Sequence, residues 1–130
     1  MEKKTITALV IDDEKAVVDF LVQFLGLKAV QAKTVEDCLS ALEAARKESF
    51  DIVFLDVRMP RMNGVELLRE LKKINPHSMY VMMTGYAVDD LLEQARREGA
   101  RIHLKKPFDI EEISHIIEEC RHEKTVKDES

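Results

Sequence analysis

The chain has 130 residues and a mass of 15.0 kDa, the size of one domain that buries a core without disulfides or metals. Apolar residues make up 45% and charged residues 35%, a composition that excludes a disordered chain. The net charge of −5 and the absence of Trp argue against direct nucleic-acid binding, which uses clustered basic residues and stacking aromatics.

The start of the chain lacks the apolar segment of a secretory signal peptide, and no apolar run approaches the roughly 18 residues of a membrane span. We therefore expect a soluble, cytoplasmic protein that does not contact the membrane. Cys38 and Cys120 fall on the apolar faces of predicted helices, which favours reduced core thiols over a disulfide.

Apolar periodicity predicts strands and helices in alternation along the first half of the chain. A strand at 7–11 is followed by a helix that ends at Gly26, and 27–32 is a weaker strand. Thr34 is the predicted cap of the second helix. The third strand, 51–55, carries four consecutive apolar residues, which is typical of a strand buried on both faces of a parallel sheet.

The alternation continues in the second half with a helix at 65–74, a strand at 79–83, a helix that Gly99 ends and a strand at 101–104. A last helix has inward-facing residues from Ile110 to Cys120. This pattern predicts one doubly wound α/β domain with a parallel sheet. We place the domain at residues 1–122 and expect 123–130 to form a polar, disordered tail.

Polar side chains follow four of the predicted strands. Asp12 and Asp13 follow the first, Asp56 the third, Thr84 the fourth and Lys106 the fifth. Because the carboxyl ends of parallel strands meet at one edge of the sheet, we expect these residues to gather there. Clustered carboxylates repel one another, and oxygen ligands without His or Cys suit Mg²⁺. An Asp carboxylate can carry a phosphoryl group, whose charge Mg²⁺ and a lysine can neutralise.

Each of these signals also has an ordinary structural explanation. The acids at 12–14 suit the start of a helix, where the macrodipole favours negative charge. The segments 84–85 and 105–107 are typical of turns. Only the joint pattern therefore indicates a functional site.

Four ordered segments carry a family resemblance: VIDDE at 10–14, DIVFLDVRMPRMNGVELL at 51–68, MTGYA at 83–87 and LKKPF at 104–108. Together they resemble the receiver domain of bacterial two-component response regulators. The resemblance spans roughly residues 5–122. It implies a flavodoxin-like (βα)5 fold, with a five-stranded parallel sheet in the order 2-1-3-4-5. It also implies a function in two-component signal transduction.

In this family, a phosphohistidine donor phosphorylates the receiver in a Mg²⁺-dependent reaction, which shifts the domain to an active surface conformation. The resemblance implies that Asp56 is the phosphoacceptor. It implies that Asp13 and Asp56 bind Mg²⁺ together with the backbone carbonyl of Arg58, and that Asp12 holds the ion through water.

The resemblance also assigns the switch residues. Lys106 pairs with the phosphoryl group, because it is the lysine that directly precedes Pro107, and this Lys–Pro bond is often cis in the family. Thr84 moves toward the phosphoryl group and starts the switch. The family's second switch position, three residues before the lysine, is often Tyr or Phe, and here it is His103. The imidazole of His103 is smaller than these rings, so this position departs from the family's usual aromatic switch.

Arg58 and Tyr86 lie two residues after Asp56 and Thr84, at positions that look onto the phosphoryl group in this family. Both side chains are bulky enough to hinder an attacking water. We therefore expect a long-lived phosphoryl group, and faster loss of phosphate when both are replaced by smaller polar residues.

The implied partners are a sensor histidine kinase or phosphotransfer protein, and an output domain or partner protein. The output would contact the face formed by the fourth helix, the fifth strand and the fifth helix. A homodimer through these last faces is left open, and the domain itself would bind no nucleic acid. The resemblance implies a phosphoacceptor switch rather than an enzyme, with only self-phosphotransfer and self-dephosphorylation.

Two other functions fit parts of the pattern. A phosphohydrolase of the haloacid dehalogenase type uses an aspartyl nucleophile, but it usually carries a second Asp two residues later, where this chain has Arg58. A phosphorylation-independent interaction module usually lacks one of the acidic, Thr or Lys positions. All of these positions are occupied here.

Overall fold

Strands and helices alternate along the chain in the computed structural model, which describes residues 5–58, 63–85 and 89–129. The elements are β1 (Ile6–Ile11), α1 (Lys15–Leu27), β2 (Val30–Val35), α2 (Cys38–Lys47), β3 (Ile52–Asp56), α3 (Gly64–Ile74), β4 (Met79–Thr84), α4 (Asp89–Arg97), β5 (Ile102–Lys105) and α5 (Ile110–Glu129). Within these ranges, no helix is long and apolar enough to cross a membrane.

The strands form a parallel sheet in the order β2-β1-β3-β4-β5. The chain starts in the interior of the sheet with β1, adds β2 at one edge, and then returns past β1 to continue with β3. The doubly wound, flavodoxin-like sheet and its strand order are therefore confirmed. The direction of winding reverses between β1 and β3, and such a switch point opens a crevice at the carboxyl ends of the strands.

Apolar side chains cover both faces of the sheet. The residues of β3 and β4 are buried throughout, which confirms the prediction for the third strand. Helices α2, α3 and α4 pack on one face, and α1 and α5 pack on the other. Cys38 and Cys120 are free thiols buried on opposite faces, as predicted.

Three local predictions are wrong. Helix α1 does not end at Gly26, because the chain turns at Ala29, which adopts the left-handed conformation with φ of 62°. Strand β2 consequently starts later than residue 27. Helix α2 is capped by Asp37, whose carboxylate accepts the N–H of Ser40 at 2.8 Å, whereas Thr34 lies within β2.

Helix α5 continues to Glu129, through most of the segment 123–130 for which the sequence predicts a disordered tail. Lys124 Nζ donates to the Asp51 carboxylate at 3.0 Å and to the Thr5 carbonyl at 2.9 Å. The same Asp51 oxygen accepts the backbone N–H of Thr7 at 2.9 Å. These contacts tie the last turns of α5 to the amino ends of β1 and β3, so the boundary at residue 122 falls inside a continuous helix.

Tyr80 leads to a prediction about stability at alkaline pH. Its side chain is buried, and its hydroxyl lies 2.7 Å from the carbonyl of Asn75. Burial raises the pKa of Tyr80 from 10.0 to about 12. The unfolded chain deprotonates first, so folding stability is intact below pH 10 and falls by about 2 kcal/mol as the pH approaches 12.

The measurement is an alkaline absorbance titration of the Tyr86→Phe variant, in which Tyr80 is the only remaining tyrosine. We expect a midpoint near 12 in the folded protein. A midpoint near 10, the ordinary value, would contradict the predicted burial effect.

Candidate functional site

The polar residues predicted from the strand ends lie together at the carboxyl edge of the sheet. Asp12 follows β1, Asp56 ends β3 and Thr84 ends β4, and these three residues are buried. Asp13 is exposed beside them. Lys106 follows β5, and its backbone N–H donates to the Thr84 carbonyl at 2.7 Å. The crevice at the switch point thus collects side chains from four parallel strands.

Lys106 is the centre of this cluster. Its Nζ donates to Asp12 Oδ2 at 2.7 Å, to Glu14 Oε1 at 3.0 Å and to Asp56 Oδ2 at 3.3 Å. Burial works to lower the pKa of Lys106, but the hydrogen bonds to Asp12 and Glu14 and the negative charge of Asp56 raise it overall. The side chain is therefore a fixed positive charge between three carboxylates.

Both carboxylate oxygens of Asp56 accept hydrogen bonds. The backbone N–H of Arg58 donates to Oδ1 at 3.0 Å, and Lys106 binds Oδ2. Burial, together with the charge of Asp12, raises the pKa of Asp56, and the Arg58 N–H and Lys106 lower it only in part. Burial and the neighbouring charge of Asp12 therefore oppose ionisation of Asp56, and a cation beside the carboxylate would offset that effect.

The carboxylates of Asp12, Asp13 and Asp56 offer a set of oxygen ligands. One oxygen from each lies within 4.8 Å of the other two. Asp12 Oδ1 accepts the N–H of Glu14 at 2.9 Å and Oδ2 accepts from Lys106 Nζ at 2.7 Å, so hydrogen bonds to both oxygens fix the buried side chain. Hard oxygen donors, without nitrogen or sulfur, fit Mg²⁺ in the way that the sequence predicted.

Gly64 lets α3 begin directly against the end of β3. Its N–H donates to the Val57 carbonyl at 2.7 Å, and Val57 in turn donates to the Met83 carbonyl at 2.9 Å. A Cβ at Gly64 would overlap the carbonyl oxygen of Asp56 and lie 2.8 Å from Val57 Cα. The sequence analysis missed this role, although the Asn63-Gly64 pair at a helix start was a usable signal.

Glu14 is the second residue that the sequence analysis missed as part of the site. It was counted only among the acids of a helix start, whereas its carboxylate contacts Lys106. The signal was present in the run of three acids after β1, but their spacing alone does not show which acid turns toward the lysine.

The remaining predicted site residues lie around this cluster. His103 is exposed on β5 and lines a groove of about 330 Å³ between α4 and β5. The Arg58 side chain is exposed, and Tyr86 lies outside the described residues. The Lys106–Pro107 peptide bond is cis.

Comparison with known proteins agrees with this geometry. The family described as response regulator receiver domain matches residues 8–118. Sporulation initiation phosphotransferase F from Bacillus subtilis is 32% identical over 109 residues, which cover 84% of this chain and 88% of that protein. Other relatives are longer: the match covers 44% of a response regulator receiver protein from Anaeromyxobacter and 23% of NtrC from Escherichia coli.

Solved structures show the same fold. A CheY-like response regulator receiver domain protein from Methanospirillum hungatei aligns with a TM-score of 0.89 and 25% identity, over 95% of this chain and 99% of that one. A response regulator from Burkholderia pseudomallei aligns with a TM-score of 0.80 and 25% identity, over 94% of this chain and 72% of that one. The latter structure contains a phosphorylated aspartic acid, a calcium ion and citrate.

Proposed function

The chain belongs to the response regulator receiver domain family of two-component systems, and from this premise we propose that Asp56 is its phosphoacceptor. One observation carries the proposal: a single ammonium, that of Lys106, bridges Asp56 and the buried Asp12 at the switch point of the sheet. The phosphorylated aspartic acid of the Burkholderia protein supports the same chemistry.

Phosphoryl transfer follows from the chemistry of Asp56. An oxygen of Asp56 attacks the phosphorus of a phosphohistidine, the bond from phosphorus to the donor nitrogen breaks, and the electron pair leaves with the imidazole. Lys106 places its positive charge against the transferred phosphoryl oxygens. The hydroxyl of Thr84, at the end of the neighbouring strand, donates a hydrogen bond to the phosphoryl group.

We propose that the carboxylates of Asp12, Asp13 and Asp56 hold Mg²⁺ together with the backbone carbonyl of Arg58. The mutual proximity of the three carboxylates supports this set. When bound, Mg²⁺ supplies positive charge that neutralises the oxygens of the transferring phosphoryl group.

Receiver domains interact with histidine kinases and with output domains. For this chain, we propose that Thr84 and His103 carry the switch to the face formed by α4, β5 and α5, which contacts the output domain or partner.

Arg58 and Tyr86 slow the loss of the phosphoryl group. The domain acts in the cytoplasm as a switch, without turnover of other substrates.

Intact mass after incubation with acetyl phosphate and Mg²⁺ tests the proposal. We expect the wild type to gain one phosphoryl group, and the Asp56→Asn variant to gain none. Omitting Mg²⁺ should prevent the gain. Equal labelling of the wild type and Asp56→Asn would contradict the assignment of Asp56.

Asp51→Asn is the matched control. Asp51 precedes β3, at the end of the strand opposite to Asp56, and pairs with Lys124 at 3.0 Å. It is therefore an aspartate paired with a lysine that lies outside the group of three carboxylates. We expect Asp51→Asn to be phosphorylated like the wild type, provided that a thermal melt shows the variant to be folded.

A further inference from the structure

Three carboxylates compete for the ammonium of Lys106 in the part of the chain that the structure describes. They are Asp12 at 2.7 Å, Glu14 at 3.0 Å and Asp56 at 3.3 Å. A lysine ammonium has three N–H donors, so these contacts use all of them. Lys106 can bind an incoming phosphoryl oxygen only by releasing one of the three.

Glu14 is the partner that can leave. Asp12 is fully buried, and its second oxygen is fixed by the N–H of Glu14. Asp56 is the residue that receives the phosphoryl group under the proposed function. The Glu14 side chain is 60% exposed, so water can replace Lys106 as its partner at little cost.

The position of Glu14 in its helix does not account for this contact. Glu14 is the N-cap residue of α1, yet its side chain makes no capping hydrogen bond and binds Lys106 instead. Glu14 is also outside the group of carboxylates that can jointly hold a metal. Its contact with Lys106 is therefore separate from capping and from the proposed Mg²⁺ site.

We infer that Glu14 is a positioning residue that holds Lys106 in the resting state and is displaced during phosphorylation. This inference rests on the proposed function of Asp56. When the phosphorus–oxygen bond to Asp56 forms and the donor leaves with its electron pair, Lys106 exchanges its hydrogen bond to Glu14 for one to a phosphoryl oxygen. No proton is transferred in the exchange. Glu14 thus slows the phosphorylation of Asp56. Because Glu14 does not contact Lys106 in the phosphorylated protein, it does not affect the rate at which the phosphoryl group is lost.

The test compares the rates at which wild type, Glu14→Gln and Glu14→Asp are phosphorylated by acetyl phosphate with Mg²⁺. We expect both variants to react about two- to five-fold faster than wild type, the size of a surface ion pair. Glu14→Asp keeps the charge, but its side chain is one methylene shorter and cannot keep the contact with Lys106. The rate at which the phosphoryl group is lost should be the same in all three proteins.

Asp19→Asn is the matched control, because it removes one charge from an exposed position on the same helix. We expect its rate to equal that of wild type. Equal rates for wild type and Glu14→Gln would overturn the inference while leaving the proposed function intact. A gain in Glu14→Gln but not in Glu14→Asp would overturn it as well, because general repulsion of the donor would then explain the effect. If wild type is not phosphorylated, the proposed function fails and the inference falls with it.

Discussion

Lys106→Met is expected to slow phosphorylation of Asp56 by about 100-fold, because it removes the side-chain cation that stabilises the transferring phosphoryl group. The same variant should lose about 2 kcal/mol of stability without Mg²⁺, because the buried Asp12 and Asp56 then lack their shared counter-charge. Time courses of intact mass give the rate, and urea unfolding gives the free energy of unfolding.

Lys105→Met is the matched control. Lys105 precedes Lys106 in the chain, ends β5, and is exposed. We expect its rate and stability to stay close to wild type. Equal losses in the two variants would show that the chain needs positive charge in this segment rather than an ammonium at the position of Lys106.

Gly64→Ala is expected to destabilise the protein by about 3 kcal/mol, because the new Cβ would overlap backbone atoms of Asp56 and Val57, which have little room to move. Relief of this overlap must shift either the start of α3 or the end of β3. We therefore expect slower phosphorylation as well as lower stability, measured by urea unfolding and by the mass assay.

Gly85→Ala separates this effect from the loss of a glycine as such. Among the described residues, a Cβ at Gly85 would meet only Lys106 Cδ at 3.9 Å, an ordinary van der Waals contact. We expect unchanged or slightly higher stability, because alanine restricts the unfolded chain. If Gly64→Ala were as stable as Gly85→Ala, the close approach of α3 to the acceptor strand would not be a requirement of the fold.

The parts of the fold that follow from local patterns were predictable. The unbroken apolar run of β3 indicated burial on both faces, and the alternation of elements indicated a doubly wound sheet. The placement of Asp12, Asp56 and Lys106 at one edge then followed from the parallel direction of the strands.

Three features that the sequence did not predict have physical reasons in the folded structure. The order of α5 after residue 122 depends on Lys124 reaching Asp51 and Thr5 across the domain. Gly26 resembles a helix end, but the turn is made by Ala29, which no propensity would select. The contact between Glu14 and Lys106 joins residues 92 positions apart, and only the folded sheet brings them together.

Locating the phosphoryl group on the chain tests whether Asp56 is the phosphoacceptor. After reaction with acetyl phosphate and Mg²⁺, borohydride reduces an aspartyl phosphate to a stable product, and peptide mass spectrometry identifies the modified residue. The predicted result is modification of Asp56, and of no other carboxylate in the cluster. Modification of Asp12 or Asp13 with Asp56 intact would contradict the claim.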